Sequence, residues 1–233
     1  MEFKPFDKRQ YPVATARSGY GEWADHYEET VAVELDRRLL DSIGSVNWPT
    51  VGAVADLACG TGRMGVFLSQ HGVGPIDGVD ITPEMLEHAR EKRLYRSLEV
   101  RDVADTDLPS SSYDLCTLIL ADEHLAAVEP VYREAARLLA PGGSFILLGY
   151  HPFFLMAGTP THYHRADGEP VAIQSYVHLF SEHFKAGTGV ALTLIEFQEC
   201  RIDDEWLRSK PKWHEYRNWP VSFMLVWRNR GGK

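Results

Sequence analysis

The chain has 233 residues, 44% of them hydrophobic, and its 33 acidic against 24 basic side chains leave a formal net charge of -9. That length suits a single domain over 1–233, and the acidic balance argues against a surface built to neutralise nucleic-acid phosphates. No apolar signal segment opens the sequence and no run approaches the roughly 20 residues that span a bilayer, so a cytoplasmic protein without membrane partners is expected, as a monomer or homodimer. Three scattered cysteines, Cys59, Cys116 and Cys200, offer neither a disulfide framework nor a paired metal site.

After a polar arm, Trp23, Tyr27, Val31, Leu35 and Leu39 recur at every fourth position, which predicts one amphipathic helix over 18–43. From Val51 onward short apolar runs alternate with amphipathic segments, the signature of a parallel sheet covered by helices. A strand over 51–57 feeds a glycine-rich turn and a helix that stops at Gly72. A second strand over 76–79 ends at Asp80, with Thr82 expected as N-cap and Pro83 in the first helical position. A third strand is expected over 98–101. A fourth, almost wholly apolar from Leu115, reads as buried on both faces. A helix over 131–139 and a strand over 144–150 complete the alternation. Beyond Tyr150, turn residues at Ala166-Asp167-Gly168-Glu169 predict a hairpin, a helix follows over 181–186, and two long strands over 190–202 and 220–230 predict an antiparallel finish. The tryptophan-rich stretch 205–219 between them reads as a cover for the sheet edge.

The spacing Gly60-x-Gly62-x-x-Gly65 matches a dinucleotide-binding turn, but glycine spacing alone reports only a tight turn beside a nucleotide-like ligand. Asp56, four residues before Gly60, interrupts the strand end, and with the following "LACGTG" it resembles the acidic glycine loop of class I S-adenosylmethionine-dependent methyltransferases, Ala58 replacing the first glycine. The resemblance continues in order through Asp80, Asp102 in "VRDVADTDLP", "SSSYDLCTLILADEHL", "EAARLLAPGGSFILL" and the N-terminal "YGEWADHYEE". It implies a Rossmann-like, doubly wound α/β fold, S-adenosylmethionine as cofactor, and methyl transfer to a small molecule at oxygen or nitrogen. It further implies a lid helix over 18–43, a cofactor core over 51–150, and cofactor contacts from Tyr20, Asp56, Ala58, Gly60, Gly62, Arg63, Asp80, Ile81, Asp102, Val103 and Leu120. Asp80 is expected to accept the ribose hydroxyls, and Asp56 to orient the turn by accepting backbone hydrogen bonds. Two rival readings are an NAD-dependent oxidoreductase and a cofactor-binding protein without transfer activity.

Ligands of open α/β sheets bind beyond the carboxyl ends of the strands, which selects Asp122, Glu123 and His124 after the fourth strand and Tyr150 and His151 after the fifth. His151 is the first choice as general base, with a strand-end cap as its alternative. Tyr150 and His124 come next, and a packing or capping role is the alternative for His124. The insertion over 151–180, with Phe153, Phe154, Leu155, Met156 and Tyr163, is expected to cap the acceptor pocket. His162, His164, His178 and His183 lack a third ligand of defined spacing, so no metal is expected.

Overall fold

The computed structural model describes residues 1–31 and 34–231. Its N-terminal arm is docked rather than free: Phe3 is buried beside Leu155 and Val177, and strand β1 (Val13–Ala14) leads into α1 (Ala16–Trp23). The single helix expected over 18–43 is segmented. A 3₁₀ turn and the short α2 (Tyr27–Thr30) follow α1, and α2 ends at Val31, whose backbone is extended. The cause lies in Thr30, whose hydroxyl donates to the His26 carbonyl at 2.8 Å and accepts the Trp23 indole N–H at 2.8 Å. Such back-bonding, next to two β-branched residues, competes with helix propagation. Helix α3 (Glu34–Asp41) then starts afresh; positions 32 and 33 of the expected helix lie outside the described residues.

The alternating region forms β2 (Val54–Leu57), α4 (Arg63–Gln70), β3 (Ile76–Asp80), α5 (Pro83–Glu91), β4 (Ser97–Val100), β5 (Tyr113–Ile119), α6 (Glu129–Leu138) and β6 (Leu139–Tyr150). The remainder supplies α7 (Pro152–Met156), β7 (His162–His164), β8 (Pro170–Ile173), α8 (Phe180–Gly189), β9 (Leu192–Arg201), α9 (Asp204–Ser209) and β10 (Pro220–Asn229). Seven strands make one sheet in the order β4-β3-β2-β5-β6-β10-β9. All neighbours as far as β6 are parallel, while β10 runs antiparallel to both β6 and β9. The doubly wound sheet with an antiparallel finish is therefore as expected.

Side chains on β2 and β5 alternate between two cores, as the period of a strand requires. Val54 and Leu115 pack with α3 and α4 on one face, while Ala55, Leu57, Cys116 and Leu118 pack with α6 on the other. Strand order reverses between β2 and β5, and the crevice beyond their carboxyl ends is where such a sheet receives a ligand.

A second sheet, β1-β8-β7, caps this end. The expected hairpin is β7 and β8, closed by the Gly168 N–H on the Arg165 carbonyl, but β1 also pairs parallel to β8, so the cap is built from both ends of the sequence. Trp23 and Tyr163 fill its small core with Val171 and Ile173. Among the described residues no helix is long and apolar enough to cross a membrane.

Candidate functional site

The turn after β2 is strained by design of its backbone: Ala58, Gly60 and Gly62 all have positive φ, at 53°, 53° and 84°. Gly62 occupies the N-cap of α4 and does not border either cavity described below. Gly65 serves packing, because a Cβ there would fall 2.7 Å from the Tyr95 ring. Tyr95 in turn replaces the backbone as the partner expected for Asp56. Its hydroxyl accepts the Gly65 N–H at 3.1 Å and donates to Asp56 Oδ2 at 2.7 Å, while the Thr117 hydroxyl donates to Asp56 Oδ1 at 2.7 Å. Asp56 therefore steers the turn through Tyr95. Burial pushes its carboxyl up to about 6 against the pull of these two hydroxyls.

Asp80, at the end of β3, holds the other side of the turn. Its Oδ2 accepts the Gly60 N–H at 2.8 Å and its Oδ1 accepts the Thr82 N–H at 2.8 Å. Thr82 caps α5 only by position, since its side chain makes no cap bond, contrary to expectation; Asp80 takes over that task. Each carboxylate oxygen keeps a lone pair for a further donor.

Two cavities flank the turn and share Tyr27, Ala58, Gly60, Ile119 and Leu120. The first, about 310 Å³, is bounded by Tyr20, Asp80, Ile81, Met85, Asp102, Val103 and His124. A carboxylate among apolar walls suits a nucleoside, with Asp80 toward the sugar hydroxyls and Ile81 and Val103 against the base. The second, about 390 Å³, is bounded by Asp56, Thr61 and Arg63 together with Glu28 and Asp36 from the N-terminal segments. Cationic and polar groups there suit an amino-acid end. The pair of cavities thus fits the cofactor expected from the sequence.

The N-terminal segments are latched over the second cavity. Arg63 donates one terminal nitrogen to both oxygens of Asp36, at 2.9 and 2.7 Å, leaving its other nitrogens as donors. The Thr61 hydroxyl donates to Glu28 Oε1 at 2.5 Å, and Lys92 pairs with the same carboxylate. Arg63 was singled out from the sequence as a cofactor contact, whereas Glu28, Asp36, Thr61 and Lys92 were not.

After β5 the three polar residues diverge. Asp122 packs against Gly149, where a Cβ would come 2.0 Å from its Oδ1. His124 is a brace: the Tyr20 hydroxyl is 2.9 Å from Nε2 and the Gln174 carbonyl 2.8 Å from Nδ1. A carbonyl can only accept, so Nδ1 carries the proton and Nε2 accepts from Tyr20. Burial holds His124 down at about 4, and both nitrogens are committed, which corrects its candidacy as a base. Glu123 differs. It is 1% exposed, its Oε2 has no hydrogen-bond partner, and its Oε1 lies at a long 3.5 Å from both the Thr161 hydroxyl and His124 Nε2. Burial, then the neighbouring charge of Asp122, raises its carboxyl well above the usual range, and burial is likewise the main cause that raises Tyr20, Tyr27 and Tyr150, with the Glu123 charge adding to it.

His151 is also corrected. Its Nδ1 accepts the Phe153 N–H at 3.1 Å, capping α7, and Nε2 donates to Glu199 at 2.8 Å. It borders neither cofactor cavity but a shallow surface site with Phe153, Glu199 and Arg201. Tyr150 faces a third cavity, between the cap and the N-terminal arm. No group of three or more His, Cys, Asp or Glu side chains able to hold a metal occurs among the described residues.

Residues 55–147 match the family described as a methyltransferase domain. A demethylmenaquinone methyltransferase of Thermus thermophilus is 35% identical over 104 residues, covering 42% of this chain and 47% of that protein. A 27-O-demethylrifamycin SV methyltransferase of Amycolatopsis mediterranei is 26% identical over 136 residues, covering 55% and 49%. The chain thus spans about half the length of the curated relatives it matches. In fold it is similar to an S-adenosylmethionine-dependent methyltransferase of Mesorhizobium loti, with a TM-score of 0.66, 20% identity, and coverage of 82% of this chain and 96% of that one.

Proposed function

We propose that the chain is a class I S-adenosylmethionine-dependent methyltransferase and that it methylates a small molecule at oxygen or nitrogen. The observation that carries this reading is the pair of cavities joined at the Gly60 turn, with Asp80 on one side and Arg63 on the other. Asp80, Ile81, Asp102 and Val103 hold the nucleoside, and Arg63 and Thr61 hold the amino-acid end, with Tyr20 and Tyr27 of the lid closing over both. The bound cofactor supplies an electrophilic methyl carbon: a bond from the acceptor atom to that carbon forms as the carbon–sulfur bond breaks and S-adenosylhomocysteine leaves.

The protein's part is to orient the acceptor, exclude water and take the proton. In place of His151, that proton is assigned to Glu123, a buried carboxyl with an unpartnered oxygen that borders none of the three cavities itself and meets the third through Thr161. Burial raises the proton affinity of a carboxylate, so once deprotonated it takes up a proton more readily than an exposed one. Calorimetry tests the cofactor: S-adenosylhomocysteine binds and NADH does not, and the opposite result overturns the reading. A screen for S-adenosylhomocysteine release across hydroxyl and amine metabolites separates an enzyme from a binding protein without turnover. With an acceptor in hand, Glu123→Gln lowers turnover by about 10²–10⁴ while cofactor affinity holds.

A further inference from the structure

The third cavity, about 600 Å³, lies between the N-terminal arm, the β7 strand and the excursion 204–219, outside both cofactor cavities. Its volume falls within the range for a small organic ligand. Near-parallel rings border it. Tyr150 and Phe154 lie 12° apart in plane with centroids at 6.4 Å, Phe154 and Trp213 12° apart at 5.6 Å, and Trp23 and Tyr163 16° apart at 5.8 Å. The parts of these rings that border the cavity offer a flat apolar molecule offset-stacked or edge-to-face contact.

Charge at the cavity is distributed unevenly. Arg9, Lys210 and Lys212 border it, and none has a carboxylate within 4 Å among the described residues. Glu29 and Glu215 border it as well, but Glu29 lies 3.6 Å from His26 and neither reaches those cations. His162 is held below the usual histidine range by burial first, with the charges of Arg9 and Lys212 acting in the same direction. The cavity also reaches Tyr150 and Thr161, and Thr161 contacts Glu123.

Resting on the methyltransferase reading, we propose that this cavity is the acceptor site and that the acceptor is a flat aromatic molecule carrying an anionic group, a carboxylate or phosphate, seated on Arg9 and Lys212. Its protic nucleophile lies toward Thr161 and Glu123. Charge complementarity fixes which way round the molecule enters, and the rings supply the apolar contact. A mouth of unpaired cations without a bound anion carries repulsion that the ligand relieves.

The test uses 6-hydroxy-2-naphthoate and its methyl ester, with binding followed by quenching of tryptophan fluorescence at physiological salt, with and without S-adenosylhomocysteine. The acid is expected to bind more tightly than the ester, and the Arg9→Ala/Lys212→Ala double variant to weaken the acid by about tenfold or more while leaving the ester unchanged. Both side chains are on the surface, so the variant folds. Equal binding of acid and ester, full affinity of the acid in the double variant, or binding of neither compound overturns the proposal. Cofactor calorimetry on the same samples is independent: loss of S-adenosylhomocysteine binding with retained naphthoate binding overturns the methyltransferase reading instead.

Discussion

The Tyr20 hydroxyl donates to His124 Nε2 at 2.9 Å, tying α1 to the turn that follows β5. The ring is neutral, because burial holds His124 at about 4 against the opposing pull of the Gln174 carbonyl and the Asp122 charge. In the unfolded chain the same ring takes up a proton near 6.5. Between those values the unfolded state binds the proton and the native state does not. The contribution of His124 is therefore complete above about pH 6.5 and is lost as the pH falls toward 4, on the order of 3 kcal/mol at most. Asp56 and Glu123, whose carboxyls are raised, act in the opposite sense. Urea unfolding at pH 7 and pH 4.5 isolates the histidine by difference: His124→Gln narrows the stability gap between wild type and variant at low pH, and a constant gap contradicts this account.

Asp80→Asn weakens S-adenosylhomocysteine by roughly tenfold to a hundredfold, the range for losing hydrogen bonds to a charged group. The amide keeps one acceptor oxygen for either the Gly60 or the Thr82 N–H, so the fold survives. Isothermal titration of the folded variant is the measurement, and unchanged affinity removes Asp80 from the sugar.

Cofactor binding slows amide exchange over 18–31, where Tyr20 and Tyr27 border the cavities and Glu28 meets Thr61. Asp36→Asn, which loses the charge facing Arg63, speeds exchange there in the cofactor-free protein and leaves the sheet strands protected. Exchange indifferent to cofactor leaves these segments as plain packing.

His151→Ala changes turnover by no more than a few-fold and lowers stability by about 1 kcal/mol, the typical loss of an N-cap. The ring caps α7 and meets Phe180 edge-on at 5.1 Å, so its removal is felt in the fold. A collapse of turnover with intact stability restores His151 to the chemistry.

The sheet was legible because parallel strands covered on both faces leave nearly unbroken apolar runs, as Leu115 to Leu120 do with Thr117 as the one polar residue, and because Pro83 and the hairpin residues Asp167 and Gly168 punctuate the chain locally. The cofactor side was equally local: Asp56, the glycines and Asp80 lie at strand ends in one short stretch. What escaped depends on partners remote in sequence. Tyr95 reaches Asp56 across 39 residues and His151 reaches Glu199 across 48, and no local pattern reports either pair. The break at Thr30 turns on a single hydroxyl choosing the backbone over water. Ala58 looks like a mild replacement of glycine, yet it sits at a φ of 53°, where alanine is strained by about 1 kcal/mol or more.

The pairing of β1 with β8 bears on how the molecule is assembled in time. The walls of the nucleoside cavity come from Ala16 to Ala126, with the turn, Asp80 and Leu120 close together in the chain. The aromatic cavity needs Arg9, Tyr150 and Tyr216 at once, and β1 waits for a partner on the order of 160 residues away, a loop whose closure carries an entropic cost that grows with its length. On the ribosome, where chains emerge from the N-terminus, residues that bind the cofactor are all present long before those that enclose the other substrate. The last strand to emerge, β10, lies between β6 and β9 and is buried in both cores, so early synthesis of the cofactor residues does not spare either cavity the wait for the C-terminal strand that completes the sheet.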